Sequence, residues 1–124
     1  MRLAAITRAC AGLMGAAGVA VSAAATHLSG DDFARTAGLF LLIHAAAMLA
    51  VSGPPSGAGP RRGSGAIGAA VLGVGTVLFS GALALLGFWH LRIPLAAPVG
   101  GLAMITGWIL IAIGGLLSLR GGDR

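Results

Sequence analysis

AIGAAVLGVGTVLFSGALALLGF, residues 66–88, carries no charged side chain, and its polar groups are the hydroxyls of Thr76 and Ser80. An uncharged apolar run of this length exceeds the roughly 20 residues needed to cross a bilayer as a helix. The segment is therefore a transmembrane helix, and the composition extends that reading to the whole chain. Of 124 residues 57% are hydrophobic and 9% charged, with a mean hydropathy of +0.98. Soluble domains carry about 25% charged residues.

Working outward, residues 53–65 read GPPSGAGPRRGSG, a linker too rich in proline and glycine to continue a helix. On the other side, Phe88, Trp89 and His90 suit the aromatic belt at a membrane surface. Arg92, Pro94 and Pro98 follow in a kinked connection, with Pro98 placed to start the next helix, where a proline has no hydrogen bond to lose. The expected helices are 9–26, 32–52, 66–88 and 98–119, in an all-α, four-transmembrane-helix bundle forming a single membrane domain. Ser29 and Asp32 have the spacing of a capping box before the second helix. The first segment has a charged start, an apolar middle and a small-residue end that also fit a cleavable signal peptide. Its Gly12, Gly15 and Gly18 suit close helix packing and predict an inner helix.

The net charge of +5 comes from arginines alone on the basic side, and they lie singly or in pairs at the edges of apolar runs. That placement marks topology and leaves no basic stripe for nucleic acid. Arg2, Arg8, Arg61, Arg62, Arg120 and Arg124 fall on one side of a four-span layout, and Arg35 and Arg92 on the other. The positive-inside rule then puts both termini in the cytoplasm of a bacterial inner membrane. The single cysteine, Cys10, rules out an intrachain disulfide and behaves as a small apolar residue.

Small residues mark the packing surfaces. Ala69, Gly73, Thr76, Ser80 and Gly87 share one face of the third helix, and Gly100, Gly107 and Gly114 recur in heptads on the fourth, with Ala103 between. Lipid tails are as apolar as leucine, so close backbone contact and a few polar bonds hold such helices together. Against this background His44, in FLLIHAAAMLAV at 40–51, is the conspicuous group, because an ionisable side chain is costly at mid-membrane depth. Counted from the outer helix ends, His44 and Thr76 lie about 12 residues in and Thr106 about 10, with Ser80 about one turn further out. The expectation is a neutral, nearly fully buried His44 bonded across helices to Thr76, Ser80 or Thr106, a polar pin contributing about 0.6 kcal/mol. A proton-relay or substrate-contacting His44 is the alternative, weakened because no Asp, Glu, Lys or Arg lies within a span to partner it.

Other chemistry finds little support. His27 and His90 lie near the outer surface while His44 sits roughly 18 Å along its helix, too far to share a haem with either. His27, Asp31, Asp32 and His90 form an outer-surface polar cluster, but their spacing is no metal-ligand motif and they read as solvated interface residues. No cofactor or metal is expected. There is no nucleophile elbow, HExxH, phosphate loop or intramembrane carboxylate pair, so the chain does not read as an enzyme.

Several stretches carry a family resemblance: His27 closing the first helix, His44-Ala45-Ala46-Ala47-Met48-Leu49, Leu78-Phe79-Ser80-Gly81, Pro98-Val99-Gly100-Gly101-Leu102 and Gly107-Trp108. In order and spacing the chain resembles the YgdD/YwdK-like family of small uncharacterised inner-membrane proteins, whose pattern there reads GAFGAH, HALALL, LFSG, and PIGGL followed by GW. The resemblance implies the four-helix layout and singles out His27, His44, Ser80 and Trp108. It implies no activity. Here Ser22 to Thr26 replace the aromatic and glycines before His27, and Phe40, Leu41 and Ile43 stand where the family commonly has tyrosine and glutamine before its second-helix histidine. Together these observations predict a small structural or accessory membrane protein acting through helix-helix contacts. Its expected partners are the lipid bilayer and a second copy or another membrane protein. A small transporter or permeability element using His44 is the alternative.

Overall fold

A computed structural model describes residues 2–29, 31–52 and 63–121. Helix α1 spans Arg2–Ala24 and runs into one wide π turn, Ala25–Ser29; α2 spans Asp32–Val51, α3 Gly63–Trp89 and α4 Ala96–Gly121. All four helices are long and apolar enough to cross a membrane. The linker expected at 53–65 lies largely outside the described residues, and α3 already begins at Gly63.

The boundaries follow local chemistry. Helix α1 starts at Arg2, a turn and more before the apolar run, because Arg2 and Arg8 can lay their stems along the helix while their heads reach water. The N-cap of α2 is Asp31, not Ser29: its Oδ1 accepts from the Phe33 amide at 2.7 Å, and its backbone is extended (φ −78°, ψ 133°). Ser29 ends the π turn, so the predicted capping box is replaced by a one-residue cap, with Asp32 in the first turn at the positive end of the helix dipole. Before α4, His90 (φ 54°) and Leu95 (φ 64°) occupy the left-handed region, which lets the chain reverse between α3 and α4 within a few residues. The Val99 amide then closes on the Leu95 carbonyl at 2.9 Å, leaving Pro98 in the first turn, where its missing N–H is harmless.

Helices α2 and α3 form the centre. The predicted face of α3 is buried throughout: Ala69, Gly73, Thr76, Ser80 and Gly87. It meets α2, since a methyl at Gly87 would lie 2.6 Å from the Ala34 amide and one at Gly73 would lie 2.8 Å from the Met48 methyl. A second seam, Gly68, Leu72 and Gly75, receives α4. A methyl at Gly107 would stand 2.7 Å from the Leu72 amide, and one at Gly75 2.7 Å from the Met104 amide. The two seams lie roughly a quarter-turn apart around α3 at about 100° per residue, so α2 and α4 become neighbours across it.

Helix α1 corrects the inner-helix expectation. It packs chiefly on α2, where Gly18 and Gly38 approach backbone to backbone, while Leu3, Ile6, Leu13 and Val19 are exposed and Gly12 has nothing within 4 Å. Of three glycines at three-residue steps, each turned about 300° from the last, Gly18 lands at the centre of the seam, Gly15 at its edge beside Ala45 and Gly12 off it. Helix α4 is exposed along Leu102, Ile105, Ile109 and Leu116, a face fit for lipid. A small core of Ala11, Met14, Leu41, Ala45, Met48, Leu72 and Met104 draws on all four helices.

Candidate functional site

His44 lies one step off the α2 face that meets α3, turned toward α4, and is 7% exposed, so its expected burial holds. Its hydrogen bond is not the predicted one. Nδ1 stands 2.8 Å from the Phe40 carbonyl one turn back in the same helix. A carbonyl only accepts, so Nδ1 must carry the proton and Nε2 of the neutral ring is left as an acceptor. The hydroxyls behave alike. Thr76 donates to Leu72 O at 2.8 Å and Thr106 to Leu102 O at 2.9 Å. In a helix the carbonyl four residues back is always within reach, and bonding to it orders only one side chain. Matching depth therefore did not become a bond between helices.

Direction separates the other candidates. Thr76 is 0% and Ser80 1% exposed in the α2–α3 seam, whereas Thr106, one residue before Gly107, is rotated off the α4 seam and exposed. It is no neighbour for His44, and that expectation is withdrawn. Ser80 Oγ is buried with no hydrogen-bond partner among the described residues.

What surrounds His44 is aromatic. The Phe40 ring stacks on it at 5.5 Å between centroids, with 21° between planes. Trp108 of α4 approaches at 6.0 Å, tilted by 58°, and Phe40 in turn meets Phe79 of α3 at 4.9 Å. Four rings from three helices thus line the gap between α2 and α4, each such pair adding roughly 0.5–1.5 kcal/mol to its area burial. Reasoning from depth missed Phe40 and Phe79. The i, i+4 spacing of Phe40 and His44 was the available signal.

At the outer end His27, Asp32 and His90 are exposed and Asp31 is partly so. They share the end of the molecule where α1, α2 and α3 turn, but among the described residues no three His, Cys, Asp or Glu side chains gather to hold a metal ion.

Over 52 residues the chain is 44% identical to the UPF0382 inner membrane protein YgdD of Escherichia coli (strain K12), covering 41% of this chain and 40% of the relative. The same figures hold for the proteins of that name from Escherichia coli O157:H7 and Shigella flexneri. The matched part spans about 40% of the length of these curated relatives. No family model and no solved structure matches the chain. The likeness agrees with the resemblance that the motifs carry, and the matched relatives are inner membrane proteins; with four membrane-long apolar helices the chain is a small integral membrane protein.

Proposed function

We propose that this chain is a structural or accessory protein of the inner membrane that works through helix-helix contacts, with both termini in the cytoplasm, and that it is not an enzyme. The observation that carries this reading is the way its intramembrane polar groups are used. His44, Thr76 and Thr106 each bond to a carbonyl of their own helix, and helix association is left to glycine seams and an aromatic cluster. A relay needs polar groups handing protons from helix to helix. Here Nδ1 of His44 and the hydroxyls of Thr76 and Thr106 close on their own helices. The apolar face of α4 at Leu102, Ile105 and Ile109 is the surface offered to a second copy or another membrane protein.

The reading is tested in two arms. Residue-specific photo-cross-linking from Ile105 and Ile109 in membranes is expected to yield a discrete adduct rather than lipid products alone. In reconstituted vesicles the wild type and His44→Ala are expected to show the same proton leak. A flux abolished by His44→Ala would favour the transport alternative instead.

A further inference from the structure

We propose that the cleft between α2 and α4 binds a lipid-soluble aromatic alcohol of the hydroquinone type, whose hydroxyl donates to Nε2 of His44. This goes beyond the packing role. Three observations carry it. First, the bond from Nδ1 to the Phe40 carbonyl fixes the tautomer, so Nε2 is a lone-pair acceptor with no hydrogen-bond partner among the described residues. His44 is 7% exposed, and at mid-membrane depth what remains open faces hydrocarbon, a medium of low dielectric where an unmet polar group is costly.

Second, the depth limits who can meet it. His44 is about 12 residues into α2, roughly 18 Å from the outer end, near the middle of a hydrocarbon layer about 30 Å thick. Neither bulk water nor a lipid headgroup hydroxyl reaches that level. A donor must arrive on a molecule that dissolves in the bilayer.

Third, the walls suit a flat ring. Phe40 and Phe79 are half-buried, and Trp108 is 43% exposed beside His44, so the aromatic cluster opens toward lipid rather than closing over. On the α4 side Gly101 and Gly115 lie at heptad steps from Trp108. A methyl at Gly101 would meet only Phe79, at 4.0 Å, and one at Gly115 would meet nothing within 4 Å. Apolar walls with one convergent polar group, between the helices of a bundle, are the usual form of a small-molecule site.

The full chain in nanodiscs, carrying Trp89→Phe so that Trp108 is its single tryptophan, reports binding by fluorescence. A hydroquinone with a short isoprenoid tail is expected to quench Trp108 saturably. Its di-O-methyl ether, which partitions into lipid but cannot donate, should bind at least tenfold more weakly. His44→Phe, which keeps a ring in place and removes the acceptor, should weaken hydroquinone binding at least tenfold. Equal quenching by hydroquinone and ether would show partitioning alone and overturn the proposal, and that comparison needs no His44 variant. Unchanged binding by a folded His44→Phe protein would also overturn it. So would a change of oligomeric state in His44→Phe with no ligand preference, because the donor would then come from a second copy.

Discussion

His44 and Ser80 are both polar, both buried and both in the membrane, yet their situations differ. The histidine closes one of its two nitrogens on its own helix and surrounds itself with rings, so its polarity is half answered by local geometry. The serine hydroxyl is enclosed without a partner among the described residues. Removing such a group relieves a desolvation cost and loses no bond. Ser80→Ala is therefore expected to leave stability unchanged or to raise it by about 0.5–1 kcal/mol. Unfolding of the purified protein in mixed micelles against denaturing detergent checks this, and a loss above about 1 kcal/mol would mean that Ser80 has a bonding role. The burial expected of His44 from the sequence is found. The sequence could not show that the bond would be intrahelical, because depth along an axis says nothing about which way a side chain points.

At the scale of the helix, glycines with the same sequence context carry different weight. Gly100 and Gly107 sit where α3 and α4 touch, and a methyl at Gly100 would meet the Phe79 amide at 2.5 Å. Gly12 of α1 faces open space. Gly107→Val should force the two helices apart and cost about 1–3 kcal/mol, the usual range for overpacking. Gly12→Val should be neutral or gain a few tenths of a kcal/mol, since valine is the better helix former and a side chain there meets nothing. The same unfolding measurement separates them, and equal losses would mean that α1 also packs tightly through Gly12. The heptad of glycines in α4 made its seam legible. The second seam of α3 was written as plainly, in Gly68, Gly75 and Ala82 at sevens, but a helix with two partners shows two overlapping small-residue stripes, and the polar one draws the eye.

For the molecule as a whole, the helices are not equivalent. Helices α2 and α3 each pack against two neighbours and are the more buried, while α1 and α4 lean on them from either side and leave most of their surface to lipid. On the orientation proposed from the arginine count, residues 53–65 lie on the cytoplasmic side. In a Cys10→Ser background, Ser29→Cys should therefore react with a membrane-impermeant maleimide on intact spheroplasts, and Ser56→Cys only after permeabilisation. The reverse pattern would invert the topology. On the proposed function, contact with a partner is expected along α4, whose Leu102, Ile105, Ile109 and Leu116 are exposed.

The sequence by itself determined that this is a membrane protein, how many helices are long and apolar enough to cross a bilayer and roughly where each lies, because the bilayer demands length and apolarity of every span and both can be counted along a sequence. Glycine spacing decided which faces could come close. The tertiary structure decided which of those faces did so, that α1 lies at the edge, that Asp31 rather than Ser29 caps α2, and that His44 turns to Phe40 and Trp108 instead of a hydroxyl. The reason is rotational. A residue's direction from its helix axis follows from its number, but the angle at which two helices face each other is set by the packing of all their side chains together.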